Sequence, residues 1–184
     1  MGSKNNILRR ITMKEKRQYI IYENSDDDKC RYALGVKGNN PLIFFGINPS
    51  TATPDDYDQT MKKAKGFALK NGFDSWIMLN IYPQRATNPD DLDRRIKEKL
   101  HEENIKKIEP YITNDATIIA SWGNSIRKRD YLIDCLKRIV KELKSKQIKW
   151  RCIGDLTTEG NPKHISRLGY DEKIQKFNID GYLG

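Results

Sequence analysis

Soft metal-ligating side chains are scarce in this 184-residue chain, which has three cysteines and two histidines. Cys30, Cys135 and Cys152 are widely spaced, odd in number and form no C-x-x-C pair. His101 and His164 are equally isolated, so a zinc site has almost no material, and we expect neither a structural metal nor a cofactor. Reduced thiols follow, with Cys135 and Cys152 serving as small core residues. Long hydrophobic runs are missing too. Nothing approaches the ~20 apolar residues of a membrane-spanning helix. The opening MGSKNNILRR lacks the apolar core and cleavage site of a signal peptide, so the expectation is a cytoplasmic protein with no membrane partner. A Walker loop, a G-x-G-x-x-G fingerprint and a nucleophile elbow around Ser50 are also absent, which removes three common enzyme readings.

What the chain has in quantity is positive charge. The formal net charge is +9, with 32% charged and 37% hydrophobic residues. Between Asn124 and Arg151, ten Lys or Arg face only Asp130, Asp134 and Glu142, which leaves +7 in that one segment. Lys137, Lys141 and Lys144 recur at helical spacing and form a candidate nucleic-acid face. The alternative is an ordinary soluble helix surface.

The apolar residues fall into periodic blocks, and the length suits one domain with a real core. Residues 1–30 read as an N-terminal arm with an edge strand at Tyr19–Tyr22 and an acidic turn at Ser25–Asp28. Residues 31–184 read as a single α/β domain. Strands are expected at Arg31–Val36, Leu42–Ile47, Trp76–Asn80, Thr117–Ala120 and Ile148–Ile153. Helices are expected from about Asp56 to Asn71-Gly72, and from Asn88-Pro89 through Leu92, Ile96, Leu100, Ile105 and Ile108. Another should carry the stripe Leu132, Leu136, Ile139 and Leu143, whereas His101 reads as a surface residue among charges. Strands alternating with helices predict a three-layer α/β/α domain around a mainly parallel sheet.

Ligands of open parallel sheets bind beyond the carboxyl ends of the strands. Four such ends here carry amides, hydroxyls, cations and rings. The first runs from Gly46 through Asn48, Pro49, Ser50 and Thr51, and the second from Asn80 to Arg85 and Thr87. The third is Ser121-Trp122-Gly123-Asn124, and the fourth ends in Asn161-Pro162-Lys163-His164. Such a set suits a flat heteroaromatic ligand: rings to stack on, amides to read an edge, cations for phosphate. Arg85 reads most simply as a solvated loop cation, and Trp122 equally as core ring or stacking platform.

These loops resemble the bacterial and phage group called domain of unknown function 1643. The resemblance rests on Asn48-Pro49-Ser50-Thr51-Ala52, Asp58-Gln59-Thr60, Asn80 through Arg85-Ala86-Thr87, Trp122-Gly123 and Gly160-Asn161-Pro162-Lys163-His164, in that order. More distantly, Gly46-Ile47-Asn48-Pro49, Leu79-Asn80 and Asn161 to Arg167 are similar to the active-site motifs of the mismatch-specific uracil/thymine-DNA glycosylases. That likeness implies a parallel α/β sheet, water positioning by Asn48, base reading by Asn80, and a late loop that grips backbone or leaving base. Asn48 or Asp58 would then act below the sugar, and His164 or Lys163 at the base or phosphate. Ser50 replaces a glycine of those enzymes, and Lys163-His164 replaces a small Ser-Gly pair, which sets this chain apart at the loop that enters duplex DNA. Two functional readings follow: a metal-independent N-glycosidase acting on a nucleobase, or a noncatalytic module that binds nucleotide or nucleic acid. The oligomeric state is open.

Overall fold

A computed structural model describes residues 19–184; the first part of the expected N-terminal arm lies outside the described residues. Seven strands form one sheet: β1 (Ile20–Asn24), β2 (Arg31–Val36), β3 (Pro41–Gly46), β4 (Ser75–Asn80), β5 (Thr117–Ala120), β6 (Lys149–Ile153) and β7 (Ile174–Lys176), in spatial order β1-β2-β4-β3-β5-β6-β7. The central four, β4-β3-β5-β6, are parallel, as the alternating sequence pattern requires. The edges are antiparallel: β1 and β2 on one side, and β7, which the sequence pattern did not suggest, on the other.

Successive side chains of β3 go to opposite faces. Leu42 and Phe44 meet α1 (Gln59–Lys70) on one side, and Ile43 and Phe45 meet α2 (Glu98–Ile108) and α3 (Tyr131–Glu142) on the other. All four are fully buried, and each contributes about 1.5–3 kcal/mol by leaving water. Helix α1 starts where the Asp58 carboxylate accepts the Met61 N–H at 2.9 Å, and Gly72, at φ +79°, supplies the left-handed residue after its end. A short α4 (Ile179–Leu183) closes the chain against the α2–α3 side.

One expected helix is only half present. The run from Asn88 makes a single 3-10 turn at Pro89–Asp91, and α2 begins at Glu98. Side chains from elsewhere take the backbone groups that a helix would have paired. The Arg129 guanidinium donates to the carbonyls of Asp90, Leu92 and Asp93, and the Tyr131 hydroxyl also donates to Asp93. Gln84 Oε1 accepts the Asp93 N–H, and the Tyr82 hydroxyl accepts the Lys97 N–H.

His101 also departs from expectation, being fully buried instead of on the surface. Neither ring nitrogen has a hydrogen-bond partner among the described residues. Burial, with Arg138 nearby and Glu98 opposing, pushes its pKa down to about 4. The unfolded chain therefore takes up this proton near its ordinary value while the folded chain resists it. Stability should fall as pH drops from about 6.5 through about 4, and the His101 contribution should be flat above that window. In urea titrations across this range, His101→Leu is expected to show a shallower decline than the wild type. Identical slopes would remove His101 as the cause.

Candidate functional site

The candidate site is assigned to the place where the chain changes direction in the sheet. From β3 it crosses by way of α1 to β4 on one side, and then returns past β3 to β5 on the other. Neighbouring strands with diverging exits leave a gap at their carboxyl ends. The floor is tied together by backbone bonds: Ser121 N–H to Phe45 O at 2.9 Å, Ile81 N–H to Gly46 O at 2.9 Å and Tyr82 N–H to Ile47 O at 2.8 Å.

Gly46 and Asn80 are paired across β3 and β4, on the α1 face. A Cβ on Gly46 would lie 3.1 Å from Asn80 Oδ1, so glycine is what leaves room beside the amide. Asn80 is 2% exposed, and its Nδ2 is buried with no acceptor among the described residues. Its backbone is held from behind, where Asn104 Nδ2 donates to the carbonyls of Asn80 and Ile81 at 3.0 and 3.2 Å. Asn48 is half-buried at the exit of β3. Its Nδ2 donates to Ala86 O at 2.7 Å and Pro49 O at 3.1 Å, which fixes the amide and leaves Oδ1 as an acceptor.

The opposite wall is the late loop, docked on the end of β5. Gly123 N–H donates to Pro162 O at 2.8 Å, the Ser121 hydroxyl accepts Ile165 N–H at 3.1 Å, and Gly123 sits at φ +59° against His164. His164 Nδ1 lies 2.8 Å from Ser166 Oγ and accepts the Ser166 N–H, so the neutral ring carries its proton on Nε2. Burial, reinforced by Arg167, lowers its pKa against the opposing pull of Asp58. At neutral pH His164 is an uncharged donor. Asp58, besides capping α1, is within electrostatic reach of both His164 and Arg31.

Several sequence-predicted residues serve elsewhere. Trp122 is 1% exposed and packs on Trp150, Phe177 and Tyr182, so it offers no face for stacking. Asn161 is buried in a network: Tyr182 donates to its Oδ1, its Nδ2 donates to Asn124, and Trp122 Nε1 donates to Tyr182. Arg85 is not a solvated cation; its side chain is 13% exposed and donates to Ser50 O and Tyr22 while pairing with Asp28. Pro49 is buried, Ser50 and Lys163 are half-buried, and Thr51 and Thr87 are exposed. Sequence reasoning missed Arg31, Asn104 and Tyr182. Only Arg31, a charge opening an otherwise apolar strand, gave a readable signal.

Lys137 and Lys141 are exposed on α3, and Lys144 on the 3-10 turn just after it; α3 covers the face of the sheet opposite Asn80. Around them Arg138 pairs with Glu98, Lys146 with Glu109, Lys149 with Asp115, Lys128 with Asp90 and Arg127 with Glu159. Acids from other elements thus offset half of the segment's cations. A separate cleft of about 670 Å³ opens at the end of β6, lined in part by Arg127, Cys152, Asp155 and Tyr182, and none of the predicted site residues lines it. Among the described residues no cluster of three or more His, Cys, Asp or Glu is placed to hold a metal, and no helix is long and apolar enough to cross a membrane.

Comparison with known proteins adds a family. The chain belongs to the family described as "Protein of unknown function (DUF1643)", whose model matches residues 31–164. No curated protein matches it. A solved structure from Agrobacterium vitis S4, described as a "Putative hydrolase", is 11% identical over 72% of this chain, with a TM-score of 0.38. The match takes in 48% of that protein's length. At that level the likeness carries no argument about function.

The docking of the late loop makes a direct prediction. Ser121→Ala leaves the buried Ile165 N–H without its acceptor and should cost about 1–3 kcal/mol in urea unfolding. A loss below the error of the measurement would mean that Ser121 does not hold the loop.

Proposed function

We propose that the crevice binds a nucleobase, and that the chain cleaves the N-glycosidic bond of that base without a metal. The observation that carries the binding half is the Asn80 amide: its Nδ2 is a buried donor with no partner among the described residues, and its Oδ1 faces Gly46, where a Cβ would lie only 3.1 Å away. A base carbonyl supplies the missing acceptor. The glycosylase likeness of the strand-end motifs supports the same reading.

Catalysis would use the remaining groups. As the bond from the sugar to the base nitrogen lengthens, its electron pair leaves with the base and positive charge grows on the sugar. The Nε2–H of neutral His164 is suited to stabilise the departing base, and the Asp58 carboxylate to offset charge on the sugar. The Oδ1 of Asn48, free because its Nδ2 is anchored, would orient the water that adds to the sugar. That water gives up a proton, which the departing base takes up.

One observation favours the second reading, a noncatalytic binding module. Lys163 and His164 belong to a loop pinned to β5 through Gly123 and Ser121, which leaves little freedom to wedge into a duplex. Substrates with accessible bases, single strands or free nucleotides, fit this loop better than paired DNA does.

The deciding assay measures base release from uracil, hypoxanthine, thymine-mismatch and hydroxymethylated substrates, as oligonucleotides and as nucleotides, with and without chelator. Release is expected to ignore chelator, and to drop about 10²–10³-fold in Asn48→Ala and in His164→Phe while both variants stay folded. Tight binding that is lost in Asn80→Leu, with no base freed from any substrate, would establish the binding module instead.

The lysine face generates a separate expectation. If it meets a polymer, combined Lys137→Glu, Lys141→Glu and Lys144→Glu should weaken oligonucleotide binding. It should also flatten the salt slope, by about 0.7–0.9 for each phosphate that is no longer neutralised. Binding of free nucleotides should not change. Unaltered oligonucleotide affinity would assign the face to solubility.

A further inference from the structure

Two guanidinium groups lie buried together where the acidic turn before β2 meets the loop after β4. The chain brings them there through backbone bonds from Arg31 N–H to Pro83 O and from Arg85 N–H to Lys29 O, at 2.9 and 2.8 Å. Arg31 is 1% exposed and donates through Nη1 to Ala52 O at 2.7 Å. Arg85 donates to Ser50 O at 2.5 Å and reaches the same Ala52 carbonyl at 3.5 Å. The Nε–H of each arginine is buried with no partner among the described residues.

The charge balance of this pair is poor. Among the described residues no carboxylate lies within ion-pair distance of Arg31. Arg85 has only Asp28, at 3.0 Å, whose side chain is 55% exposed. Burial and the neighbouring Arg85 lower the Arg31 pKa to about 10. Buried cations are normally paired with anions, because desolvation is otherwise uncompensated. Here neutral carbonyls take that position.

We propose that Arg31 and Arg85 form a subsite for the terminal phosphate of a small nucleotide, and that the Asp28 carboxylate and the Ser50 and Ala52 carbonyls stand where phosphate oxygens sit in the complex. Two planar forks with unpaired Nε–H groups match the oxygens of a phosphate monoester. A phosphodiester inside a polymer carries one charge and two chain continuations, which a site this deeply buried does not accommodate. Asp28 stands as the plug: its Oδ1 pairs with Arg85 and also accepts from Asn24 Nδ2 at 3.0 Å and from the Tyr22 hydroxyl at 3.2 Å, while its side chain stays 55% exposed. The subsite adjoins the crevice through Asn48-Pro49-Ser50, and Asp58 lies within electrostatic reach of both Arg31 and His164. Only the nucleoside half of this ligand rests on the function proposed above.

The test titrates the full chain, at fixed ionic strength, with inorganic phosphate, deoxyuridine, inosine and the two 5′-monophosphates. Affinity is read by calorimetry, and the arginine Nε–H resonances by ¹⁵N–¹H spectra. Phosphate and the monophosphates should shift the resonances of Arg31 and Arg85, and each monophosphate should bind at least about tenfold more tightly than its nucleoside. Asp28→Asn, a surface change that spares the fold, should tighten phosphate binding, because the competing carboxylate charge is gone. Arg85→Lys should weaken it although the charge is kept. The subsite is overturned if phosphate leaves both resonances unmoved, or if Asp28→Asn fails to tighten binding. Nucleosides that bind with no gain from their phosphates likewise sink the subsite and leave the crevice reading standing. Phosphate that shifts both arginines, with nothing added by either nucleoside, supports the subsite and counts against the crevice.

Discussion

The crossover from β3 to β4 runs over one face of the sheet and that from β4 to β5 over the other, so β3 and β5 are neighbours whose chains leave in opposite directions. Everything at the candidate site follows from that divergence. Because α1 covers the face that Gly46 and Asn80 present, its capping residue Asp58 is brought over the crevice. Because β5 ends beside β3, its exit at Ser121–Gly123 becomes the dock for the His164 loop. A sheet wound in one direction would have closed this gap with a continuous row of loops.

Rigidity comes from amides and hydroxyls placed behind the crevice. Asn104 grips two successive carbonyls at the end of β4, and the Trp122–Tyr182–Asn161–Asn124 chain braces the late loop from the α4 side. These donors spend their hydrogen bonds within the protein. The contrast with Asn80 Nδ2 and the two arginine Nε–H groups is therefore informative, because buried polar groups are almost always paired. The proposed site draws on the orphans that lie at the strand ends; Asn104 Oδ1 and the His101 ring are orphans behind the strands.

The sheet was legible because its signals are local. Leu42–Phe45 is an unbroken apolar run, and strand spacing with helix stripes leaves few alternatives to parallel pairing. The missing first half of the second helix was not legible. Asn88-Pro89-Asp90 is a sound helix start, and what overrides it is Arg129, nearly forty residues away in sequence, binding its carbonyls. The same limit applies to charge. Counting Asn124–Arg151 alone gave a strongly basic segment, yet Glu98, Glu109, Asp115, Asp90 and Glu159 approach it only in the fold. At the site, residue types were readable but not their roles. Nothing in the sequence around Trp122 separates a core ring from a stacking ring, and the buried state of Arg31, Arg85 and His101 is set by partners distant in sequence.

The polarity of the site narrows what can occupy it. Its uncommitted buried groups are donors: Asn80 Nδ2 and the two Nε–H groups, with His164 Nε2–H beside them. The side-chain acceptors at the same strand ends are Asn48 Oδ1 and the Asp58 carboxylate, which already takes the Met61 N–H. The ligand proposed above is rich in acceptors and negatively charged at one end, with its sugar and attacking water against Asn48 and Asp58. A nucleotide has that order of groups: oxyanion, sugar, then carbonyl-bearing base. The lysine face cannot supply the anion contact, since α3 lies across the sheet from the crevice and runs away from the strand ends towards Lys144. The lysine face and the buried arginine pair are therefore separate features of the molecule, and in the reading proposed above the anion falls to the arginines.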